Sequence, residues 1–194
     1  NTLAIFRDPS AWYHIVIVGN NTASGAAGQK IKFYVNGTLM SVSYPTDTGD
    51  STRFNLTGQT WNMMRDSAGS NLYFDGYIAE SYMIDGQQLD ASYFGSFDAN
   101  NNWMPVKYTG SYGTNGFYLP FTQSTSNTYT GLFNGSSYWA SVADNAAFTL
   151  GTNDFTVEAW INSSTYGGDN QFIIDQWNSS SYGWAFSVNS ATNI

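Results

Sequence analysis

The chain has no cysteine, one histidine, six basic residues and two glutamates among its 194 residues. Without cysteine there is neither a disulfide framework nor a zinc-thiolate site, and the compartment stays open. Charged residues make up only 10%, against about 25% in an average globular domain. The net charge is −8, and Lys30 and Lys32 are too few to form a basic patch. Binding to nucleic acid or to an anionic membrane through phosphates is therefore not expected. No apolar run reaches the length of a membrane span, so no membrane insertion is expected, and no basic-then-apolar signal opens the chain. The sequence starts mid-pattern at Asn1 to Phe6, which reads as the cut end of a longer polypeptide.

Hydrophobic residues reach 42% and aromatics 18%. With so few charges, the polar surface must come from Ser, Thr, Asn, Gly and Tyr, a profile that suits an extracellular or virion β protein. A chain of this size hides roughly 70% of its unfolded surface, enough for a core. The organising stretch runs from Arg7 to Tyr44. Trp12, His14, Val16 and Val18 alternate with Tyr13, Ile15 and Ile17; both sets are bulky, so this strand should be covered on both faces. Ile31, Phe33 and Val35 then share one face. Asn36-Gly37 follows, a pair that accepts the positive φ of a tight hairpin, and Met40, Val42 and Tyr44 alternate on the return strand.

Further on, Phe54, Leu56 and Trp61 to Met64 mark at most two short strands in turn-rich surroundings. Phe74 to Ile84 reads as a strand with Tyr77, Ala79, Ser81 and Met83 on one face and Ile78, Glu80, Tyr82 and Ile84 on the other. Leu89 to Gly95 reads as one helical turn, with Asp90 as N-cap and Gly95 as a left-handed stop. Residues 98–116 are loop-like. Phe117, Leu119 and Phe121 form one face of a strand that Pro120 assigns to an edge or an end. Thr122 to Thr130 is the linker candidate. Phe155 to Ile161, Phe172 to Ile174 and Trp184 to Val188 are further strands.

Two passages carry a family resemblance. AWYHIVIV followed by KIKFYVNGTLM resembles the middle of a laminin-G-like, concanavalin-A-like lectin domain. RDPSAWYHI and FDGYIAESYMIDGQQLDASYFG are similar to the subgroup found in tail and fibre proteins of bacteriophages, especially marine ones. GLFNGSSYWASVADNAAFTLGTNDFTVEAWI resembles the opening of the same domain. The halves thus stand in swapped order, with 1–122 matching the back and 131–194 the front. The chain is a piece of a tandem array, a permuted single sandwich, or a front that completes a neighbouring copy's back. If permuted, residues near 184–194 should lie beside residues near 1–18. The resemblance implies an all-β antiparallel sandwich of the concanavalin A-like jelly-roll type. It also implies a non-enzymatic virion or extracellular fibre module for host-surface carbohydrate binding, structural assembly or both, with a purely structural repeat of a self-assembling fibre as the alternative; its partners are glycans of a host cell surface, copies of itself or adjacent modules.

Several residues are candidates for chemistry. His14, alone in an apolar strand, has no second histidine or triad spacing and reads as a core histidine bonded to a neighbour. Concanavalin-A-like glycosidases cluster their acids on one strand. Here Glu80 and Glu158 stand singly on separate strands, so a glycan hydrolase is the alternative with the weaker signal. Asp98, Asn100 and Asn102 offer oxygens at alternate positions, a candidate calcium site that lacks the glycine and distal glutamate of an EF-hand loop. Solvated turn residues are the competing reading. Trp61, Trp103, Tyr108, Tyr112, Tyr166 and Trp177 fall in or near polar loops, where a sugar face stacks on an aromatic ring. Edge cover or an interface is the competing role for each.

Overall fold

The computed structural model describes residues 8–20, 31–41, 61–65, 72–121, 131–143, 154–164, 171–178 and 181–188; the side chains of 142, 177–178 and 181–184 lie outside that description. In chain order the strands are β1 (Tyr13–Gly19), β2 (Ile31–Val35), β3 (Thr38–Leu39), β4 (Trp61–Met63), β5 (Asp75–Asp85), β6 (Gly95–Phe97) and β7 (Trp103–Pro105). They continue with β8 (Phe117–Leu119), β9 (Gly131–Asn134), β10 (Ala140–Val142), β11 (Phe155–Ser163), β12 (Gln171–Asn178) and β13 (Ser181–Val188). The one helical piece among the described residues is a 3-10 turn at Ala91–Tyr93.

All of these strands except β6 and β7 form two facing antiparallel sheets, a β-sandwich in outline. The larger runs β3-β2-β1-β11-β5, with β8 and β9 sharing the far edge of β5. The smaller runs β10-β4-β12-β13. One apolar core lies between them, built from Ile15, Ile17, Ile78, Val157 and Ile161 on one side and Met63, Ile174, Phe186 and Val188 on the other. β11 pairs with β1 along one edge and with β5 along the other. The two sequence segments that resemble swapped halves therefore share a sheet and a core within this chain. Phe186 and Val188 meet Ile15 and Ile17 across the core, not as ladder neighbours; residues 1–7 and 189–194 lie outside the description, as does the linker candidate at 122–130.

The Asn36-Gly37 turn has φ of 45° and 76°, the left-handed pair that matches strand twist in a two-residue hairpin. Asn36 also ties the turn to β1: its Oδ1 accepts from the His14 N–H (2.8 Å), and its own N–H donates to the His14 carbonyl (2.9 Å).

β1 and β11 are buried on both faces because the large sheet is covered twice. Its outer face lies under the excursion between β5 and β8. There Leu89, Ala91, Phe94 and Tyr108 pack on Val16, Val18, Tyr82 and Ile84 in a second cluster. Polar ties fasten the excursion down. Thr156 Oγ1 accepts from the Leu89 N–H (3.1 Å) and donates to the Gln87 carbonyl (3.1 Å). Asp85 Oδ2 accepts from the Asn115 side chain (3.0 Å).

Three local expectations are corrected. Residues 98–116 are not all loop: β7 pairs with β6 into a small ribbon lying on the excursion side. Asp90 does cap the helical turn, accepting from the Ser92 N–H (2.9 Å). Gly95, however, is no left-handed stop; it opens β6, where a Cβ would sit 2.4 Å from the Trp103 ring. And β5 does not alternate evenly. Trp160 pairs with Ala79 and Glu158 with Tyr82, so two residues of β5 oppose Ala159 alone. Glu80 has φ of 51°, the mark of a β-bulge. Ile78 and Met83 consequently face the core together, while Tyr82 and Ile84 face the outer cluster.

Candidate functional site

The bulge decides where the chemistry lies. Ala79 pairs with the outward Trp160, and the extra residue keeps Glu80 on that same outer side before Ser81 returns to the core. Glu158, two residues before Trp160 on β11, points outward too. A cleft of about 360 Å³ opens here between the excursion and the β8 edge, lined by Glu80, Glu158, Tyr118, Tyr82, Lys107 and Trp160 among others. Antiparallel pairing of β5 with β11 thus brings the chain's two glutamates to one place.

Their surroundings differ. Glu80 is half-buried at the cleft wall. Its Oε2 accepts from the Tyr118 hydroxyl at 2.6 Å and from the Tyr82 hydroxyl at 3.4 Å. The two phenol rings stack at 4.5 Å, and Lys107 Nζ lies 5.8 Å from the Tyr118 ring centre. Glu158 is on the floor, only 1% exposed. Burial, and secondarily the Glu80 charge, pushes its carboxyl well above the usual range, so it stands as the neutral acid. Tyr118 is pushed up to about 12 by burial and by its bond to Glu80; burial, and then its neighbours Tyr118 and Glu80, also raise Tyr82.

His14 backs the floor. It is fully buried, and burial lowers its pKa to about 3, leaving a neutral imidazole. Nδ1 accepts from the Trp103 indole N–H at 2.8 Å, which places the ring proton on Nε2. Nε2 lies 2.7 Å from Glu158 Oε1, but out of line for a directed hydrogen bond. Glu158 Oε2 has no partner among the described residues. We read the contact as neutral imidazole against neutral acid: an imidazolium would aim a second N–H at the Trp103 donor. The expectation of a core histidine bonded to a neighbour is met, with Trp103 as that neighbour.

The residues proposed from sequence are placed differently. Trp61 is no loop residue: it sits in β4, buried in the main core. Tyr108 is buried in the outer cluster, because the loop carrying it folds back onto the sheet. Tyr112 is half-buried against Tyr82 and Tyr108. Trp61 and Tyr108 therefore have no open face for a sugar. Trp103 is half-buried and spends its N–H on His14, but its edge lines a second, shallower hollow beside Tyr34, Asp90, Ser92 and Phe97. Tyr166 lies outside the described residues, as does the side chain of Trp177, whose backbone is in β12.

Asp98, Asn100 and Asn102 form the β6–β7 turn. Asp98 Oδ1 accepts from the N–H groups of Asn100 and Asn102 (2.8 Å each), and Oδ2 accepts from the Asn102 side chain at 3.0 Å. These bonds hold its carboxyl below the usual range. The Asp98 oxygens thus have a structural role: they close a turn in which Asn101 takes φ of 63°. No group of three or more His, Asp or Glu converges as a metal site among the described residues.

The residues missed from sequence are Trp160, Tyr118, Lys107 and the joint placement of Glu80 with Glu158. Alternation along β11 already put Glu158 and Trp160 on one face; the bulge that adds Glu80 left no signal. No family model, curated protein or solved structure matches the chain.

Proposed function

We propose that the chain is a non-enzymatic carbohydrate-binding module of a virion or extracellular fibre, built on a concanavalin A-like jelly roll. The supporting observation is the cleft over Trp160. It joins aromatic rings suited to the C–H face of a sugar with a carboxylate and an ammonium suited to its hydroxyls. Glu80, Tyr82, Tyr118, Glu158 and Trp160 come from sheet strands, which hold such groups in place better than loops do, while Lys107 reaches in from the segment after β7. The phage resemblance supplies the setting, a host-surface glycan as ligand and further copies or modules as neighbours.

The test is glycan binding by the wild type, Glu80→Gln and Trp160→Ala. Both substitutions are expected to weaken binding about tenfold or more, the loss of a charge-assisted bond or a stacking ring. Absence of any glycan bound by the wild type, or unchanged binding by both variants, would overturn the proposal.

A second reading, glycan hydrolysis, is favoured by one observation: the carboxyl groups of Glu80 and Glu158 line the same cleft in unlike surroundings, and burial raises that of Glu158 well above the usual range. Against it, Glu158 is almost wholly enclosed, with Oε2 out of reach of solvent. A hydrolase would release reducing sugar and lose that release in both Glu80→Gln and Glu158→Gln; we expect no release from the wild type.

A further inference from the structure

The excursion covers only part of the outer face of the large sheet. One residue pair beyond Trp160, the face lies open. Tyr13 pairs with Ile161 and Tyr77 with Asn162. Trp12, Asn162 and Tyr77 therefore stand in one row across β1, β11 and β5, and Leu132 of β9 extends it as the ladder partner of Tyr77. Trp12 is 37% exposed, Tyr77 39% and Leu132 55%. The Trp12 and Tyr77 rings lie 6.5 Å apart and tilted, forming one aromatic ledge above Asn162. Asn162 is held from behind, its Nδ2 donating to the carbonyls of Ala11 (2.6 Å) and Pro9 (3.2 Å). Its Oδ1 accepts nothing among the described residues.

Resting on the binding function proposed above, we infer that the ledge of Trp12, Asn162 and Tyr77 continues the Trp160 cleft, so that the ligand is a glycan chain of several units rather than a terminal sugar. Three features favour a glycan over other occupants. The ledge is continuous with a cleft that carries polar groups for hydroxyls: Asn162 and Trp160 are two residues apart on one strand face, about 7 Å. That is further than a ring seated on Trp160 extends. The row has no charged residue, so it offers a peptide or an ionic partner no counter-charge. And an amide held by its Nδ2, with two aromatic rings beside it in the same row, is the pairing of stacking face and hydroxyl contact that sugars use.

The experiment measures affinity against chain length, from mono- to hexasaccharide of one glycan that the wild type binds, for the wild type and the double variant Trp12→Ala/Tyr77→Thr. In the wild type, affinity should rise with length. In the variant the shortest ligand should bind as before, while the gain with length falls by about tenfold, two stacking contacts' worth. Both side chains are exposed, and a matched melting temperature checks the fold. Equal loss for short and long ligands, or length-independent affinity in the wild type, would overturn the inference while leaving the cleft as a binding site. So would a variant that binds every ligand normally but loses self-association, since the ledge would then be a contact between copies. Failure to bind any glycan would remove the proposed function itself.

Discussion

Trp103→Ala should lower stability by about 3 kcal/mol or more, the lower part of the range for deleting a large aromatic, because the ring is half-covered. Trp103 is the rivet that holds the β6–β7 ribbon to the large sheet. Its ring meets Phe97 edge-on at 4.9 Å and stacks on His14 at 5.6 Å. It also fits against two positions where no side chain stands: a Cβ on Gly37 would come within 2.3 Å of the ring and one on Gly95 within 2.4 Å. Trp103→Phe separates the contributions. It keeps most of the packing but leaves the buried Nδ1 of His14 without a donor, a cost of about 1–3 kcal/mol. Gly37→Ala attacks the same fit from the other side and must also hold φ of +76°, which disfavours any side chain. Urea midpoints would read all three. A Trp103→Ala protein melting within about 2 °C of its parent, the shift expected from about 1 kcal/mol or less at this size, would falsify the rivet.

The second large effect is in the pH dependence of stability. Unfolded His14 takes up a proton below its ordinary 6.5, whereas the folded imidazole stays neutral down to about 3. Stability from this residue is complete above pH 6.5 and is lost as pH falls toward 3. Glu158 works in the opposite sense. Unfolded, it ionises above 4.5, while the folded side chain keeps its proton. Its contribution is complete below pH 4.5 and is lost as pH rises, by about 1.4 kcal/mol per pH unit. The two slopes cancel between pH 4.5 and 6.5, so the pair alone gives a level stretch there and a decline on either side. The groups facing it, Glu80, Tyr82, Tyr118 and Trp103, are common to wild type and variant. Glu158→Gln replaces the neutral acid by a group that cannot ionise. The stability difference between variant and wild type should therefore grow in the variant's favour from pH 5 to pH 8. A difference that stays constant over that range would mean that the folded Glu158 is ionised.

Much of the sheet architecture was legible because its strands carry strong periodic signals. The two-sided apolar pattern of β1 called for cover on both faces, and the structure supplies it as a second sheet and a folded-back excursion. The Asn36-Gly37 turn declared itself by residue type, as did the Asp90 cap. What stayed hidden depends on contacts between distant residues. Glu80 sits in a strand whose alternation is unbroken in sequence; only pairing against Ala159 shows that one residue is extra. Trp61 and Tyr108 stand among polar neighbours and read as surface aromatics, yet long-range packing buries both. The cleft was out of reach for the same reason: its two acids are far apart in the chain and are united by a ladder. Asp98, Asn100 and Asn102 show the reverse limit, since the residue types that bind a cation also close a turn.

The central place of β11 bears on how the protein is made. β1 and β5 are not ladder neighbours; the strand between them is encoded late, at Phe155–Ser163. A nascent chain that has already exposed both must hold two apolar strands apart until the third leaves the ribosome, and so has no partner for either inner edge. Such long-range closure slows assembly. Vectorial synthesis thus offers this sheet no head start, and premature termination ahead of residue 155 should yield chains that need chaperone protection.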